Sequence, residues 1–147
     1  MFITILKNST YRISSDFMLK EFFSKCPDFI APSHPFDIRL IDAAQLIRTF
    51  TSSAVLITST FRTPECNIKS GGKPNSYHLS GRAIDLCCPG INLKVKDQII
   101  SKGELYQSLR RLGINGFGFA DTFIHLDVRL SGSLYDSKFG FYDLWHY

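Results

Sequence analysis

Asn75-Ser76-Tyr77-His78-Leu79-Ser80-Gly81-Arg82-Ala83-Ile84-Asp85, followed further along by Phe123-Ile124-His125-Leu126-Asp127, is the part of this chain that decides how the rest is read. From Arg82 to Cys88 the residues alternate as in a β-strand, with Ala83, Asp85 and Cys87 on one face and Ile84, Leu86 and Cys88 on the other. A carboxylate inside such an apolar strand costs several kcal/mol to bury unless a cation or strong donors meet it. His125 and Asp127 interrupt a second apolar strand, and His78 ends a stretch rich in Gly, Asn and Pro. Singly, each of these residues reads as structural. Together, two imidazoles and a carboxylate are the donor set of a zinc ion with three protein ligands, whose fourth position stays open for water. The candidate ligands to one zinc ion are His78, Asp85 and His125.

Outward from this core the chain reads as one domain over residues 1–147. Ser15 through Lys25 has the spacing of a short helix, with Leu19, Phe22, Phe23 and Cys26 on one side and Pro27 breaking it. Ser33 to Phe50 reads as the strongest helix: Pro35 suits an opening turn, and Phe36, Leu40, Ala43, Ala44, Ile47 and Phe50 recur at helical spacing. Ala54 to Thr60 is a buried strand that delivers Phe61 and Arg62 to its end. The stretch from Arg62 to His78, punctuated by Pro64, Gly71, Gly72, Pro74 and Asn75, reads as a long loop lining a substrate.

Pro89-Gly90 ends the strand that carries Asp85. Ser101-Lys102-Gly103-Glu104 has the form of a capping box before a helix with Leu105, Leu109 and Leu112 buried and Gly113 as its C-terminal cap. Asn115 to Ala120 and Thr122 to Leu130 form a hairpin that sets His125 and Asp127 on one face. The aromatic tail, through Tyr135, Phe139, Phe141, Tyr142 and Trp145, wraps back over the core. The fold class is α+β: N-terminal helices packed on an antiparallel-rich sheet that carries the polar site.

A chain of 147 residues needs neither a disulfide nor a partner to fold, and a monomer is expected. The formal charge of +4 comes without a basic run or an Arg/Lys stripe interleaved with aromatics, so nucleic acid is not an expected partner. The apolar run after Met1 is too short for a signal-peptide core and nothing spans a bilayer, which implies synthesis in the cytoplasm and no membrane insertion. Cys26, Cys66, Cys87 and Cys88 contain no C-x-x-C pair and read as reduced structural thiols.

Ser59-Thr60-Phe61-Arg62, the run from Gly71 to Asp85, Gly116-Phe117-Gly118 and the run from Phe123 to Arg129 resemble the zinc D-Ala-D-Ala peptidases, in particular the small single-domain branch among bacterial and phage murein peptidases. The resemblance implies the hedgehog/D-Ala-D-Ala peptidase-like fold and zinc held by His78, Asp85 and His125. It implies that Arg62 stabilises the oxyanion formed when water attacks a peptide carbonyl, and that Ser76, beside Asn75, contacts the polar termini of the substrate. The implied substrates are the stem peptides of peptidoglycan, cut as a carboxypeptidase or an endopeptidase would cut them. The site of action is then the cell wall, as for an endolysin released from the cytoplasm.

Many members of that family place Glu or Asp three residues before the last histidine, where this chain has Thr122. Asp127 takes its place as the general base or as the carboxylate that holds a ligand histidine, with Asp121 in reserve. The missing acid keeps open a non-catalytic, zinc-containing module that binds cell wall or a protein. A dipeptidase acting on small D,D-dipeptides is a further alternative.

Overall fold

The computed structural model describes residues 1–130 and the backbone of a strand at 143–146. Strands β1 (Phe2–Leu6) and β2 (Ser33–Asp37) pair antiparallel as a two-stranded ribbon, Phe2 opposite Asp37 and Leu6 opposite Ser33. The expected helix from Ser33 therefore begins later, as α1 (Ile38–Thr51). In β2, His34 and Phe36 are buried while Pro35 between them is exposed, a period of two that a helical reading of Phe36 and Leu40 also satisfies. Pro35 is tolerated because the ribbon leaves its missing N–H at an edge.

Asp37 stops the strand and starts the helix. Its carboxylate accepts from the Arg39 backbone N–H at 3.1 Å and from the Arg39 guanidinium at 2.9 and 2.7 Å. Burial alone would raise this carboxyl, but the Arg39 hydrogen bonds and charge outweigh it and hold the pKa below the ordinary carboxylate value. Leu40, Ala43, Ala44 and Ile47 are buried as their spacing predicts, whereas Phe50 is exposed.

The second sheet has five strands in the order β3 (Leu56–Ser59), β4 (Ala83–Cys87), β6 (Ile124–Asp127), β5 (Gly116–Phe119) and β7 (Asp143–His146). All neighbours are antiparallel except β5 and β7. Register divides the sheet into two kinds of row. Ile84, Leu126 and Phe117 lie abreast, as do Leu86, Ile124 and Phe119, and all six are buried in the apolar core. Asp85, His125 and Gly118 form the intervening row, with Ala83, Asp127 and Gly116 beside it on the same face. One face of the sheet thus packs the core, and the other carries the polar residues.

Helix α1 packs against β4 and against α4 (Glu104–Arg111), which also contacts α3 (Asn92–Ile100). Helix α3 is not among the elements expected from the sequence. The capping box at Ser101 is not formed: Ser101 closes α3, Lys102 takes a positive φ of 56°, and α4 opens at Gly103 without a side-chain cap. Gly113 does cap α4, with φ of 91°. The expected helix from Ser15 to Lys25 contracts to a single 3-10 turn, Leu19–Phe22, though Leu19, Phe22, Phe23 and Cys26 are all buried. Its end is fixed by other bonds, since the Ser24 N–H donates to His34 Nε2 at 3.0 Å and the Ser24 hydroxyl to the Phe61 carbonyl at 2.7 Å.

The expected loop after Arg62 contains a helix, α2 (Pro64–Lys69). The Thr63 hydroxyl caps it by accepting from the Cys66 N–H at 3.1 Å, and Pro64 fills the first position, where no N–H is needed. Cys66 is bonded to Cys26, with Cα atoms 5.8 Å apart, so the expectation of reduced thiols fails for this pair. The two residues are 40 apart in sequence and are brought together only by the tertiary fold. Cys87 and Cys88 are free, and burial, with Cys87 alongside, pushes the Cys88 thiol up to about 11. Among the described residues no helix is long and apolar enough to cross a membrane. Tyr135, Phe139, Phe141 and Tyr142, and the expected wrapping of the tail, lie outside the described residues; Trp145 falls in β7.

Candidate metal centre

His78 reaches the sheet from a single 3-10 turn, Tyr77–Ser80, capped by Ser76, whose hydroxyl accepts from the His78 N–H at 3.3 Å. Gly81 ends the turn with φ of 70°, and a side chain there would run into the Pro35 carbonyl. This close approach lets the Gly81 carbonyl accept from the Asp37 N–H at 2.9 Å, which ties the turn to the start of α1. The chain then enters β4 and places Asp85 directly opposite His125 on β6.

Three ligand atoms converge. His78 Nε2 lies 3.1 Å from Asp85 Oδ1 and 3.3 Å from His125 Nδ1, and His125 Nδ1 lies 2.8 Å from Asp85 Oδ1. All three residues are buried. Tetrahedral nitrogen and oxygen ligands at about 2.0–2.1 Å from zinc stand roughly 3.3 Å apart, so this triangle matches one face of a zinc tetrahedron closely. Among the described residues the ligand atoms of His78, Asp85 and His125 form one of two groups compact enough to hold a metal ion. The other is Cys26, Asp28 and Cys66, whose two sulfurs are already bonded to each other.

The far side of each ligand is occupied. His78 Nδ1 donates to the Thr60 carbonyl at 2.6 Å, which leaves the Nε2 lone pair facing the cluster. His125 Nε2 donates to Asp127 Oδ2 at 3.2 Å and so presents Nδ1. Asp85 Oδ2 accepts from Arg62 Nη2 at 2.6 Å, which reserves Oδ1 for the cluster.

Asp127 is fully buried and held by Arg129, whose Nε and Nη2 donate to its two oxygens at 2.8 and 2.7 Å. Both oxygens are therefore engaged, which favours the carboxylate that holds a histidine over the general base. Arg62 Nε is bonded to Ser59 Oγ at 2.9 Å, so two donors fix its guanidinium beside the cluster. Asn75 is exposed next to Ser76, and Asp121 is exposed in the turn between β5 and β6. His34, which the sequence reading keeps apart from zinc, is buried among Phe23, Phe29, Phe36 and Phe61. Arg129, Gly116 and the Thr60 carbonyl also border the cluster, with no role expected for them from the sequence. Asp127-x-Arg129 repeats the bidentate spacing of Asp37-x-Arg39, and that repetition was the available signal.

The electrostatics follow from these contacts. Burial would raise the Asp85 carboxyl, but its contacts with the His125 and His78 imidazoles outweigh burial and hold it well below the ordinary value. Asp127 is held at about 2 because Arg129 and His125 outweigh its burial. Burial lowers His78 more than Asp85 raises it. His125 goes the other way: burial opposes its charge, but the hydrogen bonds to Asp127 and Asp85 lift its pKa to about 8.

A raised pKa stabilises the metal-free fold below about pH 6.5 and loses that contribution as pH rises through about 8. Metal binding has the opposite sign, because the ion must displace the His125 proton. Zinc affinity is expected to fall about tenfold for each pH unit below 8, which competition with a chromophoric chelator from pH 6 to pH 8.5 would measure. A flat profile would show that His125 carries no proton to displace.

No curated protein matches the chain. A family model described as Peptidase M15 matches residues 17–127, a span that starts before the buried 3-10 segment and ends on the carboxylate behind His125. With three-quarters of the sequence inside that match and the ligand triangle within it, this chain belongs to the peptidase M15 family.

Proposed function

We propose that this chain is a zinc metallopeptidase that hydrolyses D-amino-acid-containing peptide bonds in peptidoglycan stem peptides, acting as a monomer on the cell wall after release from the cytoplasm. Peptidases of this family are zinc-dependent. The observation that carries the reading is the buried triangle of His78 Nε2, Asp85 Oδ1 and His125 Nδ1, each turned toward the others by a second contact. His78, Asp85 and His125 would hold the ion, which would supply Lewis-acid polarisation of a carbonyl and activation of water near neutral pH.

The chain's own residues divide the remaining tasks. The Thr60 carbonyl and Asp127 fix the two histidine tautomers. Arg62, pinned by Ser59 and Asp85, has no hydrogen-bond partner at Nη1 among the described residues, which leaves that group for the oxygen of a substrate carbonyl. A fixed cation beside developing negative charge contributes several kcal/mol in a site screened from water. Ser76 and Asn75, at the mouth of the His78 turn, are suited to contact the polar termini of a peptide.

One observation favours a second reading. Thr122 stands where an acid is usual and is exposed in a turn, and Asp127 is saturated by Arg129 and His125. A zinc-containing module that binds cell wall or a protein without cutting would need no proton acceptor. Purified murein incubated with the zinc-loaded protein separates the two readings. Mass spectrometry is expected to find released stem-peptide fragments, and chelation with EDTA is expected to stop their release. Binding without fragments at saturating zinc would establish the module instead.

A further inference from the structure

Arg129 touches both histidine-bearing segments. On one side its guanidinium forks onto Asp127, with Nε to Oδ1 at 2.8 Å and Nη2 to Oδ2 at 2.7 Å, while its backbone N–H donates to Oδ1 at 3.1 Å. Asp127 Oδ2 is also the acceptor for His125 Nε2. On the other side the guanidinium carbon lies 5.4 Å from the centre of the Tyr77 ring, a cation–π distance. Tyr77 is the first residue of the turn that carries His78, and its carbonyl accepts from the Arg82 N–H at 2.9 Å as the chain enters β4.

We propose, resting on the zinc reading of the cluster, that Arg129 is a positioning residue for the metal centre: it fixes the carboxylate that orients His125 and braces that histidine against the turn that presents His78. Two features of arginine are needed. The planar fork matches both carboxylate oxygens at once, so the carboxylate cannot rotate away from His125 Nε2. The guanidinium carbon lies over the Tyr77 ring while Nε and Nη2 are engaged with Asp127. Lysine supplies the charge without the fork. Ligand histidines whose far nitrogen is held in this way commonly lose 10- to 100-fold in metal affinity when the holding group is disturbed.

Asp37 and Arg39 provide an internal control, because they form the same bidentate pair two residues apart with no histidine attached. A purely structural role for Arg129 would make the two arginines equivalent. The test compares the wild type, R129Q, R129K, R39Q and H78A by chelator competition with zinc alone and by the visible absorption of the cobalt-substituted protein. R129Q is expected to bind zinc at least tenfold more weakly, with a changed cobalt spectrum, and R129K is expected to fall between it and the wild type. R39Q is expected to stay within twofold of the wild type with the same spectrum. Circular dichroism checks each fold, and R129K decides the matter where R129Q does not fold.

If R129Q and R129K both match the wild type in affinity and spectrum while H78A binds no metal, the role of Arg129 is overturned and the zinc centre stands. If the wild type binds no zinc, or H78A binds it as the wild type does, the zinc reading itself fails and this role with it.

Discussion

Asp85→Asn is expected to empty the site of zinc and to lower peptide hydrolysis by at least about 1,000-fold, the equivalent of about 4 kcal/mol of lost stabilisation by the metal. Asp85 is the one negatively charged member of the ligand triangle, and both of its oxygens are in use: Oδ1 faces the two histidines and Oδ2 accepts from Arg62. Asparagine keeps the volume but carries no charge to oppose the cation. It also releases Arg62 from an ion pair at 2.6 Å, so the group suited to a developing oxyanion loses its anchor. Metal analysis of the purified variant reads the first effect, and fragment release from murein reads the second. Asp85→Asn with one zinc per chain and ordinary hydrolysis would remove the basis of the proposed function. His78→Ala should behave alike for a different reason, since it removes a neutral ligand and leaves the Thr60 carbonyl without its donor.

The site was legible in the sequence and the frame around it only in part. His78, Asp85 and His125 could be picked out because each violates a local rule: an ionisable side chain sits where the alternation calls for an apolar one, or where a loop meets a strand. The register then does what alternation alone cannot, placing Asp85 opposite His125. The β1–β2 ribbon was hidden because Phe36 and Leu40 fit a helical stripe as well as they fit a strand followed by a helix, and the deciding residue, Asp37, looks like an ordinary surface carboxylate until Arg39 folds onto it. Helix α3 buries only Val95 and Ile99, too narrow a stripe to announce itself.

Other misses share a cause. Ser101 has the residues of a capping box, but it closes α3 with φ of −73° and ψ of −2°, a helical backbone and not the extended one an N-cap takes, and α4 opens at Gly103 instead. The Cys26–Cys66 bond depends on contacts between segments far apart in the chain, which no local pattern encodes. Its consequence for the site is topological. The bond fastens α2 to the segment whose Ser24 hydroxyl binds the Phe61 carbonyl, and Phe61 lies between Thr60 and Arg62, both of which contact the cluster. The stretch between Arg62 and His78, read as a long loop lining a substrate, is thereby a braced connection that contains α2.

Gly116→Ala is expected to lower zinc affinity about 100-fold, with hydrolysis falling in parallel. Gly116 pairs with Asp127 across β5 and β6, and an added Cβ would overlap both oxygens and the carboxyl carbon of Asp127. The φ of Gly116 is not positive, so backbone strain plays no part, and in an ordinary strand alanine would be worth about 0.5–1 kcal/mol more than glycine. Any loss therefore comes from displacing the carboxylate. Overpacking of this kind costs about 1–3 kcal/mol in stability, which thermal melts of the metal-free protein would register. Gly90→Ala is the matched control: its φ of 77° strains an alanine, but nothing lies within reach of the new Cβ, so zinc affinity should not change. A Gly116→Ala protein with wild-type affinity and melting temperature would mean that the carboxylate has room to move and that its placement does not set His125. The double variant with Asp127→Ala makes the cause explicit. With the carboxylate gone the new methyl has nothing to strike, so the stability losses should not add, while zinc affinity stays low because His125 Nε2 has lost its acceptor.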